Sequence, residues 1–321
     1  ECKWGYGAVK AITGIALDSE GQYLEAVQAD TFTTMRAIAI DLETGAPSQD
    51  SELTDLPQVH STMPVGVVGS HPHEFYFAYD GTLYKGSIAD KNYQSTPLPY
   101  QKITSMHYQS GTVVVTSEED EVDKAHPFII QAFDEELNEV WRYEGSYETT
   151  RGRSFDYDSV VVGSPVVAGS LTLQGGGEGI VVSVGQWVII LDMGNGNELY
   201  KKEMEDSIVG IYVGNDPENE LDMIFVAGSG RRVSTLFPFA GESVSRTKEN
   251  YLKLDTNQNM RWAAFGTFNK RLNVVALSAE DDKDIFAFST DFSYYEPEKD
   301  DYTLDELKAK AHEKLKEDGY E

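Results

Sequence analysis

The chain has 321 residues and a net charge of −28, from 54 acidic against 26 basic side chains; a nucleic-acid binder or a reader of anionic membranes would instead need a basic face. Its single cysteine, Cys2, excludes an internal disulfide framework and a cysteine-based zinc site. At this length a domain buries about three quarters of its unfolded surface, so one closed all-β unit needs no covalent or metal staple.

At the start, Glu1 precedes Cys2, which reads as a boundary inside a longer chain, since a lipid-anchored cysteine would come first. From there to about residue 295, short runs of Val, Ile, Tyr, Phe and Thr alternate with Gly, Asn, Asp and Pro clusters, and helical periodicity is absent. That pattern predicts many short strands joined by tight turns. The most apolar stretch, Gly179 to Leu191, is too short for a membrane span and is interrupted by Ser183, Gly185 and Gln186. It is predicted to be two strands and a turn.

A strand-turn-strand unit recurs. An apolar strand ends in Asp, a polar turn follows, and an aromatic opens the next strand. Copies start at Ile40-Asp41-Leu42-Glu43-Thr44-Gly45, at Phe133-Asp134 leading to Trp141, at Leu191-Asp192 leading to Tyr200, and at Leu254-Asp255 leading to Trp262. In each, Asp can accept hydrogen bonds from the next backbone amides while Gly or Asn takes a positive φ. The aromatic is expected to cover the edge of a neighbouring sheet. Six units follow, near residues 11–46, 64–90, 102–146, 157–201, 207–245 and 249–295.

The segment Gly163-Ser164-Pro165-Val166-Val167-Ala168-Gly169, with Gly179 to Ser183 and Trp187 to Tyr200 after it, resembles a repeat of the quinoprotein-like (PQQ-like) propeller family. Ile40 to Gly45 matches the hairpin part of that repeat, and Ile12 to Leu24 is similar to the first two strands of a WD40-like blade. The resemblance implies an all-β fold: a β-propeller of four-stranded blades, six to eight in number with seven favoured, over residues 1–295. It also implies an extracytoplasmic module. Quinoprotein dehydrogenases carry a vicinal cysteine pair beside their cofactor; with none here, no PQQ or other cofactor is assigned.

Residues 296–321 change character. Glu296 to Asp301 is a charged linker, and Thr303 with Glu306 forms a capping box. Leu304, Leu307, Ala311 and Leu315 then share one face of a short amphipathic C-terminal α-helix that is expected to lay its leucines on the propeller rim.

Candidate chemistry is sparse. His71 and His73, joined by His60 or Glu74, have the spacing for a metal on one strand face, but Pro72 argues for an exposed polar loop. Asp255, Asn257 and Asn259, like Asp192, Asn195 and Asn197, mimic the opening of a calcium loop, yet they coincide with the repeated turns and lack its later ligands. The acidic runs Glu118 to Glu121 and Glu280 to Asp282 read as solvated loops, and Gly175 to Gly179 as a flexible strand connection without the Lys of a phosphate loop. No residue is assigned a catalytic, cofactor-binding or metal role. The expected function is a non-catalytic binding, sensing or protein-interaction scaffold, with a protein, small-molecule or carbohydrate ligand, tethered to a membrane only by segments beyond these residues. The alternative is a carbohydrate-active hydrolase or lyase with acidic residues in the central funnel, which shifted pKa values clustered there would favour.

Overall fold

The computed structural model describes residues 11–29, 35–53, 66–119, 125–148, 163–173, 177–216, 221–229, 232–236, 250–253, 260–268, 271–278 and 285–289. They form six antiparallel sheets in chain order. Sheet 1 holds β1 (Ala11–Leu17), β2 (Tyr23–Ala29), β3 (Met35–Asp41) and β4 (Pro47–Leu53). Sheet 2 holds β5 (Gly66–Gly69), β6 (Glu74–Tyr79), β7 (Thr82–Ser87) and β8 (Asn92–Pro97), and sheet 3 holds β9 (Lys102–Gln109), β10 (Thr112–Glu118), β11 (Ala125–Phe133) and β12 (Glu139–Glu148). Sheet 4 is β13 (Val166–Leu173), β14 (Gly177–Val184), β15 (Trp187–Asp192) and β16 (Glu198–Glu203). Sheet 5 is β17 (Ile208–Asp216), β18 (Leu221–Gly228), β19 (Arg232–Leu236) and β20 (Asn250–Lys253). Sheet 6 shows three strands, β21 (Met260–Phe268), β22 (Arg271–Ser278) and β23 (Ile285–Ser289).

Each sheet is a meander, and its first strand lies against the first strand of the next, from β1 through β5, β9, β13 and β17 to β21. First strands therefore surround a common axis, which is the blade arrangement of a β-propeller. Two glycines permit the closest of these approaches. A Cβ on Gly69 of β5 would lie 2.2 Å from the Leu17 carbonyl oxygen, and one on Gly210 of β17 would lie 2.3 Å from that of Ala263 in β21.

Radial position is written in hydropathy. The second and third strands of sheet 4, GEGIVVSV and WVIILD, are buried almost throughout, whereas its outer strand ELYKKE alternates between exposed and half-buried. Because side chains alternate across a strand, both faces of the inner strands serve as core. Phe75 and Phe77 of β6 pack with Val27, Ala37 and Ala39 of sheet 1, while Tyr76 and Ala78 between them pack with Val113 and Val115 of sheet 3. Val114 then joins Ile180 and Val182 of sheet 4, whose Val181 turns to Ile224 and Val226 of sheet 5.

The repeated turns behave as their Asp residues require. Asp41 Oδ1 accepts from the amides of Glu43 and Thr44 (3.0 and 2.7 Å), Asp134 Oδ1 from Glu136 and Asn138 (3.0 and 2.8 Å), and Asp192 Oδ1 from Gly194 and Asn195 (2.8 and 3.2 Å). These three turns join third to fourth strands. The aromatic at Trp141 closes over the next blade: its indole N–H donates to the Met193 carbonyl at 2.7 Å, and its ring lies where a Cβ on Gly196 would be 2.7 Å away. Trp141→Phe keeps most of the packing but leaves that buried carbonyl unpaired. A loss of about 1.5 kcal/mol in urea-induced unfolding is expected.

The described residues show six sheets, within the expected six to eight blades, and the six sequence units match them one for one. Two expectations change. The fourth hairpin copy is not a hairpin, since β20 pairs with β19 in sheet 5 and β21 opens sheet 6. The copy falls where the chain passes from sheet 5 to sheet 6; Asp255, Asn257 and Asn259 lie outside the described residues, as does the segment 303–317 expected to form the C-terminal helix. The second correction concerns Glu118, which is a buried strand residue and not part of a solvated loop.

Candidate functional site

The described turns after first and third strands emerge on one end of the propeller. There the ends of β1, β5 and β9 line an open cavity of about 410 Å³. Ala16 to Ser19 close one wall, Val68 and Gly69 the second, and His107 to Ser110 the third. Gly69 brings the first two walls into backbone contact, and the Ser19 amide donates to the Ser70 carbonyl at 3.0 Å.

Behind the first wall is a group of buried polar atoms. Asp18 is 4% exposed and spends Oδ1 on the amides of Gln22 and Tyr23 (2.7 and 2.9 Å), while its Oδ2 is buried without a hydrogen-bond partner. Glu25, opposite Ala16 in the β1–β2 register, is 1% exposed, and neither carboxyl oxygen has a partner. Burial first, and then the Asp18 charge, push its pKa up to about 9. The His73 backbone amide opposes that shift from nearby, outside hydrogen-bond geometry. Ser70 Oγ and His73 Nδ1 are also buried and unpartnered.

The third wall is chemically different. Burial holds His107 below the usual imidazole value, against a weaker opposing pull from Glu178, so it presents a neutral ring. The Tyr108 hydroxyl donates to Glu135 Oε1 at 3.1 Å, and burial followed by that carboxylate pushes its pKa up to about 12. His71 Nε2 stands 3.3 Å from the same oxygen; the His71 and Tyr108 hydrogen bonds in turn hold Glu135 below the ordinary carboxylate value. Lys85 donates to the Glu135 carbonyl at 3.2 Å, lies 3.8 Å from Glu74, and sits 5.8 Å from the Tyr76 ring centroid. Ser110 donates to Glu178 Oε1 at 3.2 Å. Hydrogen bonds thus tie sheets 2, 3 and 4 around the rim.

The histidines considered as metal ligands diverge. His71 pairs with Glu135 of sheet 3, while His73, at φ 67° in the β5–β6 turn, packs at a tilt against Tyr23 of sheet 1 with ring centroids 4.6 Å apart. His60 lies outside the described residues. Among the described residues, no three or more His, Cys, Asp or Glu side chains come together in a way that could hold a metal ion. At Asp192 and Asn195 the oxygens are used by the turn: Asn195 Oδ1 accepts the Asn197 amide at 2.9 Å.

At the other end of the propeller, Glu118 organises a closed network. Its side chain is fully buried, pairs with Lys102, and accepts from the Tyr147 hydroxyl (2.6 Å) and the Ser164 hydroxyl (2.9 Å). Burial and then Glu118 push the Tyr147 phenol far above its ordinary pKa. Ser164 belongs to the Gly-Ser-Pro-Val motif, so the repeat signature ties the entry to sheet 4 onto the end of sheet 3. Every oxygen of Glu118 is committed, which makes the network structural.

Sequence reasoning singled out none of the cavity's lining residues. Asp18 was visible only within the blade-like segment Ile12 to Leu24, and Glu25, with Gln28, interrupted the apolar residues of β2, a signal that was available.

No protein-family model matches the chain. Neither does any curated protein. By contrast 658 chains of solved structures match, a breadth that speaks for a common fold. One, dihydro-heme d1 dehydrogenase NirN in complex with DHE, is 8% identical with a TM-score of 0.50; the match covers 86% of this chain and 56% of that one. The mitotic checkpoint complex gives 10% identity, coverage of 87% and 76%, and a TM-score of 0.49. BamB from Moraxella catarrhalis gives 12%, coverage of 90% and 88%, and 0.42. The sheets and their axial arrangement make this chain a β-propeller protein. At such identities the likeness extends to fold and no further.

Proposed function

We propose that the propeller is a non-catalytic, extracytoplasmic binding scaffold of the quinoprotein-like repeat type, and that its ligand enters this cavity. The observation that carries this reading is the cavity itself: the ends of three first strands converge on it, with hydroxyl, amide and neutral imidazole groups on the His107–Ser110 wall, Asp18 and Ser19 on a second, and Val68 and Gly69 on the third. That lining suits a small polar ligand or an inserted loop of a partner protein. The enzymatic alternative would need an acid or base with a shifted pKa in contact with the substrate. Two groups with shifted pKa values do line the cavity, but His107 keeps its Nε2 buried and the Tyr108 hydroxyl is held by Glu135. The raised carboxyl of Glu25 has both oxygens buried, so among the described residues no free acid and base face the cavity together, which favours binding over turnover.

The test is a thermal-shift screen with sugars, short peptides and divalent ions. A ligand of this site at a hundred times its Kd adds about 2.7 kcal/mol and raises the melting temperature by several degrees. The rise is expected to shrink at least tenfold in apparent affinity in the double variant His107→Ala/Ser110→Ala. A sugar that both raises the melting temperature and is cleaved would overturn the reading, as would ligands whose shifts ignore the double variant.

A further inference from the structure

Among the described residues, sheet 1 carries an exposed apolar stripe. Six large hydrophobic side chains are exposed among the described residues, and three of them, Ile12 (49%), Ile15 (56%) and Leu17 (56%), are on β1. The other three, Val140, Val166 and Leu199, are scattered one to a strand. A register shift between Ile12 and Gly14 brings Ile12, Ile15 and Leu17 opposite Gln28, Ala26 and Leu24, so all three point to one face of the sheet. That face is turned away from sheet 2, which takes Val27, Ala37 and Ala39 from the opposite side. Next to the stripe Ala26 and Gln28 are 2% and 0% exposed, so only the innermost strand lacks cover. The same place is a break in the axial series: β17 meets β21, but among the described strands no comparably close contact joins β21 to β1.

We infer that this stripe is the docking surface for the chain's own C-terminal segment, residues 303–317, as an amphipathic helix lying along the seam between sheet 6 and sheet 1. The segment is named by its sequence: a capping box at Thr303 and Glu306, then Leu304, Leu307, Ala311 and Leu315 on one face. Lengths agree. From Leu304 to Leu315 a helix rises about 16 Å, and from Ile12 to Leu17 a bulged strand runs about 15 Å. Reach is sufficient as well, because β23 of sheet 6 ends at Ser289, and the residues from there to Leu304 extend up to about 50 Å. The pairing solves two problems at once. An isolated helix of this length is marginal in water without an apolar face to lie on, and a stripe of three large aliphatic side chains is costly to leave wet.

Cross-linking in the full-length protein tests this. With Cys2→Ser as background, the pair Ile15→Cys/Leu307→Cys is expected to form an intramolecular disulfide under mild oxidation, at several times the yield of the control pair Val140→Cys/Leu307→Cys. In the variant Leu304→Asp/Leu307→Asp, amides of β1 are expected to exchange at least tenfold faster while those of β14 and β15 keep their protection. Equal yields from the two cysteine pairs, or β1 exchange unchanged by the aspartates, would overturn the inference. Disulfide-linked dimers in place of the intramolecular product would overturn it too, since the stripe would then belong to a second copy.

Discussion

Glu25→Gln is expected to stabilise the propeller at pH 7 by about 2 kcal/mol and to flatten its pH dependence. In the folded chain the Glu25 carboxyl titrates near 9, and unfolded it titrates near the ordinary 4.5. Between those values the folded state holds one proton more than the unfolded state, so stability is greatest below pH 4.5 and falls as pH rises towards 9. The decline is about 1.4 kcal/mol per pH unit, which puts the neutralisation cost at pH 7 near 3 kcal/mol as an upper bound. A glutamine is neutral throughout and avoids that cost, although its amide inherits the same partnerless pocket. Chemical denaturation at pH 5, 7 and 8.5 measures it. A wild-type stability that does not fall over this range, or a variant with the same slope, would show that Glu25 keeps its charge in the fold.

The second large effect runs the other way. Glu118→Ala removes the acceptor for the Tyr147 and Ser164 hydroxyls and the counter-ion of Lys102. A loss of about 3 kcal/mol is expected, because a buried phenol is left unpaired and a void opens beneath it. Lys102→Met should cost less, about 2 kcal/mol, since Lys102 is 46% exposed and the two hydroxyls still serve the carboxylate it leaves behind. The two losses should not add, because both break one network. An additive double variant would mean that the ion pair contributes nothing.

The blade architecture was legible because its signals are local. Asp41, Asp134 and Asp192 each set a turn within a few residues, and apolar runs such as Val181 to Val184 announce strands covered on both faces. The copy around Asp255 looked identical in sequence, yet β20 before it and β21 after it belong to different sheets; only pairing distinguishes the two cases. Neither the cavity nor the Glu118 network could be read, since each depends on residues far apart in the chain. Asp18, Gly69 and Ser110 meet only because first strands share an axis, and Glu118 sits in an acidic run whose burial depends on Tyr147 and Ser164 arriving from other strands.

Inner strands greasy on both faces have a cost in specificity. In a sheet with one wet side, slipping a strand by a single residue throws its oily side chains into solvent, and that penalty fixes the alignment. Here the same slip would merely exchange Phe75 and Phe77 for Tyr76 and Ala78, one apolar set for another of different bulk. Correct alignment must therefore come from volume matching and from the carboxylate-pinned turns, which count residues where hydropathy cannot. Lengthening one such turn by a single residue would leave the composition of the core untouched and still scramble which blade each side chain meets.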